Sequence, residues 1–137
     1  MKKQTVALLF TLLASTQSFA GAIQDYPSNW WVQKDNTAGL SFGDGEDGNG
    51  KIAFQLSAGN IYPTGGCSSK NDCLFLTGEI QPIKKTNLYK YTGSDCDFTL
   101  VNNKNSIEIK EVKGYCGVGY EERYLINTIQ GIYYNRE

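Results

Sequence analysis

Along most of the chain apolar residues alternate with polar ones, and they do not recur at the three- and four-residue spacing of a helix. Ser106-Ile107-Glu108-Ile109-Lys110-Glu111 is the clearest case, with Ile107 and Ile109 on one face and Glu108 and Lys110 on the other. Asp97-Phe98-Thr99-Leu100 alternates in the same sense, and Asn102-Asn103-Lys104-Asn105 supplies a turn between the two. The pattern predicts a hairpin with Phe98 opposite Ile109 and Leu100 opposite Ile107.

Further strands are predicted at Asn29-Trp30-Trp31-Val32, at Leu40-Ser41-Phe42 and at Lys51-Ile52-Ala53-Phe54-Gln55-Leu56, the last two flanking a glycine-rich loop. Cys73-Leu74-Phe75-Leu76-Thr77 is apolar at both parities, which predicts a central strand buried on both faces. Asn87-Leu88-Tyr89-Lys90-Tyr91 follows a turn at Lys84-Lys85-Thr86. Tyr124-Leu125-Ile126-Asn127-Thr128-Ile129 and Gly131-Ile132-Tyr133-Tyr134 complete the set, and no helix is expected. Short strands separated by Gly and Asn point to an all-β fold, a small antiparallel barrel or sandwich of about seven or eight strands.

The first residues do not fit this scheme. Met1-Lys2-Lys3 is a positive start, and Val6 to Ala14 is an apolar run shorter than the roughly 20 residues that span a bilayer. Ser18-Phe19-Ala20 then places small residues at −3 and −1. Together they read as a secretory signal peptide over 1–20, cleaved before Gly21, with residues 21–137 as a single all-β domain. Export to a bacterial periplasm or beyond is the expected localisation. No later apolar run could span a membrane. Losing Lys2 and Lys3 with the leader takes the formal net charge from −1 to −3. Such a balance argues against nucleic acid, which demands a basic stripe, and against anionic lipid.

All four cysteines, Cys67, Cys73, Cys96 and Cys116, lie beyond the leader. An even count in a small exported domain implies a disulfide framework. Of three connectivities, Cys67–Cys73 with Cys96–Cys116 is favoured because each closes a local loop. The predicted register puts Cys96 opposite Glu111, so Gly114 would have to turn the chain back for Cys116 to meet Cys96. If it does not, Cys73–Cys96 is the better pairing. No C-x-x-C pair or histidine supports zinc or thiol redox chemistry.

The absence of histidine removes the commonest general base and excludes Ser-His-Asp and Cys-His nucleophilic sites. Glu79, Asp97, Glu108, Glu111, Glu121 and Glu122 mostly alternate with apolar positions, as a solvated strand face does. A non-enzymatic protein is expected, with no cofactor. The loop Gly43-Asp44-Gly45-Glu46-Asp47-Gly48-Asn49-Gly50 is the one place for a metal. Its Asp47-Gly48-Asn49-Gly50-Lys51-Ile52 resembles the middle of an EF-hand, but in that alignment Gly45 and Leu56 occupy two essential ligand positions. A solvated hairpin loop is the reading, with a calcium site of another kind at 43–50 as the alternative.

Aromatic residues are numerous: nine Tyr, six Phe and two Trp, enough to ask whether some serve an interface. Tyr62, Tyr89, Tyr91, Tyr115, Tyr120, Tyr133 and Tyr134 sit near polar neighbours. The bridged loop carrying Tyr62, Ser68 and Lys70 would be a rigid binding element. The stretch Gly117-Val118-Gly119-Tyr120 would present one anchor, and Asp44, Glu46 and Asp47 would supply an acidic patch.

Cys96-Asp97-Phe98-Thr99-Leu100, then Cys116-Gly117, then Gly131-Ile132-Tyr133-Tyr134 forms a C-x-F-x-L … C-G … G-x-Y pattern over about the last third of the chain. It resembles that of small exported bacterial disulfide-bonded β proteins, some likened to lysozyme inhibitors. The serine-glycine-arginine-tyrosine stretch of membrane-associated lysozyme inhibitors is absent, and no inhibitory residue is carried over. The resemblance and the residues together set the expectation of a protein-binding module, an inhibitor or immunity protein against a lysozyme-like cell-wall hydrolase. The alternative is a non-inhibitory envelope module, either an adhesion or assembly subunit or a small-ligand carrier.

Overall fold

The computed structural model describes residues 30–46, 50–63 and 65–136, with the side chains of residues 44–46 outside that description. The signal peptide expected over 1–20 lies outside the described residues. Eight strands follow one another around a closed antiparallel barrel: β1 (Trp30–Val32), β2 (Ala38–Glu46), β3 (Ile52–Gly59), β4 (Cys73–Pro82), β5 (Leu88–Thr92), β6 (Cys96–Asn102), β7 (Ser106–Gly114) and β8 (Gly131–Arg136). Each strand pairs with its sequence neighbour, and β1 closes the ring on β8 through Trp30↔Arg136 and Val32↔Tyr134. Closure leaves no strand unpaired along a whole side, although β4 meets β5 only near its C-terminal end.

Alternation builds the core. Leu40, Phe42, Ile52, Phe54, Leu56, Phe98, Leu100, Ile107 and Ile109 all point inward and are buried, with Trp31 and Tyr133 among the largest fully enclosed side chains. Side chains therefore fill the barrel axis. Both favoured disulfides are present, Cys67–Cys73 and Cys96–Cys116.

The β6–β7 hairpin forms where the alternation placed it, but in a different register. Leu100 faces Ile109, Asn102 faces Ile107 and Cys96 faces Gly114. Two effects shift the pairing from the expected one. The turn is centred one residue later, on Lys104-Asn105, with the Asn103 N–H donating to the Ser106 carbonyl at 2.9 Å. A bulge between Asp97 and Thr99 then adds one residue to β7, with Glu111 at φ 57. Cys116 is thereby two residues past the partner of Cys96. Gly114 still bends the chain there, with φ 92 and no room for a Cβ against the Asp95 carbonyl, and the Cys116 N–H donates to that carbonyl at 2.9 Å.

Three further expectations are corrected. Tyr124–Ile129 is a short helix, α1, preceded by a 3₁₀ turn at Tyr120–Glu122. Leu125 and Ile129, one helical turn apart, are its buried residues, and they seal the end of the barrel against β3 beside Gly59. Cys73–Thr77 is not buried on both faces, because Phe75 is 49% exposed while Leu74 is buried: a barrel wall has an outside. Tyr89 and Tyr133 belong to the core and cannot serve an interface.

The orphan carbonyls at the end of α1 are met by side chains from elsewhere. The Tyr133 hydroxyl donates to the Ile129 carbonyl at 2.7 Å, and the Gln33 amide donates to the Thr128 carbonyl at 2.8 Å. Burial raises the Tyr133 phenol well above its ordinary pKa.

Candidate binding site

The connections β1–β2, β3–β4, β5–β6 and β7–β8 emerge at one end of the barrel, and both disulfides lie there. The β2–β3, β4–β5 and β6–β7 turns lie at the other. The structure therefore separates the predicted site residues. Tyr62, Ser68, Lys70 and Tyr120 belong to connections at the stapled end. Asp44 and Glu46 lie on the last part of β2, at the opposite end. Their side chains lie outside the described residues, as do residues 47–49 of the 43–50 loop, Asp47 among them. Leu56, at the position an EF-hand gives to its bidentate glutamate, is an inward core residue. Among the described residues no three His, Cys, Asp or Glu side chains cluster to hold a metal, and no helix is long and apolar enough to cross a membrane.

The β3–β4 connection is a flap rather than a loose loop. Tyr62-Pro63 opens a tight turn in which the Gly65 N–H donates to the Tyr62 carbonyl at 3.0 Å. Ile61 bridges Cys67, the Ser68 N–H donates to the Asn60 carbonyl, and the Cys67–Cys73 bond fixes the base. The flap folds back over the outer wall, where the Gly66 N–H reaches the Ser57 hydroxyl at 3.3 Å. Beneath it lies Trp30. Its ring occupies the space a side chain on Gly39 would need, and its atoms come within 3.0 Å of where a Cβ on Gly65 would stand. Gly39 and Gly65 thus let backbone clamp the indole from two sides.

A groove of about 260 Å³ remains between flap and wall, lined by Trp30, Val32, Ile61, Tyr62, Pro63, Asn36 and Arg136. Arg136 is the cross-strand neighbour of Trp30, and its Nη2 donates to Asn36 Oδ1 at 2.7 Å. Tyr62 is 54% exposed at the rim. Ser68 and Lys70 are exposed on the returning limb of the flap.

The β7–β8 connection makes a second surface. Cys116 anchors it to β6, Val118 packs on the core, and Tyr120 projects with 66% of its surface exposed. The Arg123 guanidinium stacks on the Tyr120 ring at 4.1 Å from its centroid. Tyr124 donates through its hydroxyl to Asp72 Oδ1 at 2.8 Å, tying this segment to the base of the flap, and that bond raises the Tyr124 pKa. Tyr115, Arg123, Tyr124 and Ile126 line a shallow open depression. Of the residues expected from sequence, Tyr62 lies on the first surface and Tyr120 on the second, both exposed.

Trp30, Arg136, Arg123 and Tyr124 were not anticipated. For Trp30 a signal existed: adjacent residues on a strand face opposite ways, so Trp30-Trp31 cannot both be core. Arg123 and Tyr124 depend on a short helical segment that alternation does not report.

Fold and surfaces together define a closed eight-stranded antiparallel barrel whose outer connections are stapled at one end. No protein-family model, curated protein or solved structure matches this chain.

Proposed function

We propose that the protein is an exported binding protein that blocks a cell-wall hydrolase by seating its stapled end in the enzyme's cleft. The observation that carries this reading is the Tyr120–Arg123 pair, which projects from a segment held by Cys96–Cys116 below and by the Tyr124–Asp72 bond beside it. A cell-wall glycosidase works with two carboxylates across its cleft. A guanidinium already stacked on an aromatic ring is a fitting plug, because it can pair with a carboxylate while Tyr120 supplies contact area. Ordering of the segment precedes the encounter, which lowers the entropic cost of association. The acidic residues Asp44, Glu46 and Asp47 would add attraction to a basic enzyme.

The test is clearing of cell-wall suspensions by muramidases and other wall hydrolases with the purified protein added. Stoichiometric inhibition of at least one class is expected. Absence of inhibition and of stable complex across all classes would end the proposal.

One observation favours an assembly subunit instead. β5 pairs with β4 only at Gln81↔Lys90 and Pro82↔Tyr89, whereas β3 pairs with β4 from Cys73 to Ile80. An extended chain could add to that thinly paired edge. Hydrogen-exchange protection of Leu74–Thr77 on mixing with envelope extract would select this second reading. A carrier that holds its ligand on the barrel axis is not favoured, since side chains fill that axis.

A further inference from the structure

The groove under the flap is separate from the Tyr120–Arg123 surface. We propose that it binds the C-terminal residue of a peptide, taking an apolar side chain between Trp30 and Tyr62 and the terminal carboxylate on Arg136. This inference does not depend on the inhibitor reading.

Three features carry it. The first is charge. Arg136 forms its hydrogen bond to the Asn36 amide oxygen, so that contact orients the guanidinium without neutralising it. The nearby Asp35 carboxylate is engaged by Thr37, whose hydroxyl donates to Oδ1 at 2.7 Å and whose N–H donates at 3.2 Å. A guanidinium held by one edge presents its remaining donors to a carboxylate.

The second is spacing. Trp30 and Arg136 are directly opposed on β1 and β8. Opposed residues stand about 4.5–5.5 Å apart. In a C-terminal residue the carboxylate and the side chain leave the same Cα, so both groups fit such a pair at once. An acidic side chain within a peptide would not bring an apolar group so close.

The third is size. At about 260 Å³ the groove is smaller than the roughly 300–1,000 Å³ of drug-sized pockets and suits a single side chain. It is open at its rim by Tyr62, so the rest of a peptide can leave to solvent. The Cys67–Cys73 bond and the clamp of Gly39 and Gly65 on Trp30 hold the walls before a ligand arrives.

The test is calorimetric titration of the intact protein with three probes, supported by Trp30 fluorescence. The probes are an acetylated tripeptide ending in phenylalanine, its C-terminal amide, and free 3-phenylpropionate. The free-carboxylate peptide should bind at least tenfold more tightly than the amide and than phenylpropionate. Arg136→Gln should abolish the preference over the amide, and Tyr62→Ala should weaken both peptides alike, each with an unchanged far-ultraviolet dichroism spectrum and thermal midpoint. Equal binding of acid and amide, an unaltered preference in Arg136→Gln, or no binding at millimolar peptide would overturn the proposal. Phenylpropionate binding as tightly as the peptide would overturn it too, and would point to free carboxylic acids.

Discussion

The Tyr91 ring lies only 2.6 Å from the point where a Cβ on Gly78 would stand. This contact closes the seam with the fewest paired positions in the barrel. β4 and β5 share two paired positions, and beyond them the wall is completed by side chains rather than by ladder bonds. Tyr91 packs edge-on against Phe54 at 5.0 Å and tilted against Phe98 at 5.1 Å, so three rings fill the gap. Aromatic contacts of this kind add about 0.5–1.5 kcal/mol each beyond burial.

Gly78→Ala should therefore destabilise the fold by about 1–3 kcal/mol through overpacking. The same change in a Tyr91→Ala background should cost much less, because the clash has gone. Chemical denaturation of the four proteins of this double-mutant cycle measures the coupling, and additive effects would contradict the seam described here.

The two disulfides should differ in strength and in consequence. Cys96–Cys116 closes the longer loop, with a separation of 20 against 6 for Cys67–Cys73. Chain-entropy arguments give about 3 kcal/mol for the first and about 2 kcal/mol for the second. Replacing Cys67 and Cys73 with serine should leave the barrel folded and loosen the flap, giving a red shift of the Trp30 emission. Replacing Cys96 and Cys116 should lower the denaturation midpoint more, since both sulfurs sit in the core.

Tyr133 should make stability fall at high pH. Its phenol is held neutral in the fold by burial, so its folded pKa lies above the unfolded value of 10.0. Below pH about 10 the phenol is protonated in both states and its contribution is fully present. As pH rises past that point the unfolded chain loses the proton first and unfolding is favoured. Tyr133→Phe should lose about 1–3 kcal/mol at neutral pH, because the Ile129 carbonyl is left without its donor. It should also show a shallower decline in thermal midpoint between pH 9 and 11 than the unaltered protein. An identical decline in both would refute the assignment.

How far the residues announce this structure is clearest at the β6–β7 hairpin. Ile107 and Ile109 betray the strand and its inward face, yet the expected register is wrong by two residues before the bulge and by three after it. A two-residue slip keeps every side chain on its face, so alternation cannot detect it. Turn geometry at Asn103 and the left-handed Glu111 decide the register, and neither has a hydrophobic signature. Helix α1 escapes for another reason. Six residues rich in β-branched side chains read locally as strand, and only its packing on the barrel end and its borrowed caps from Gln33 and Tyr133 make it helical. Since Arg123 and Tyr124 depend on that segment, half of the candidate surface was hidden with it. Tyr62 and Tyr120 were legible because glycine, proline and cysteine spacing marks exposed, anchored turns.

The most direct measurement is the inhibition constant against a susceptible wall hydrolase for the unaltered protein, Tyr120→Ala, Arg123→Ala and a variant in the β4–β5 turn at the opposite end of the barrel, Lys84→Ala. Loss of at least tenfold in affinity is expected for the first two substitutions, with Lys84→Ala within about twofold and the far-ultraviolet dichroism of all variants unchanged. Full inhibition by Tyr120→Ala and Arg123→Ala would contradict the account.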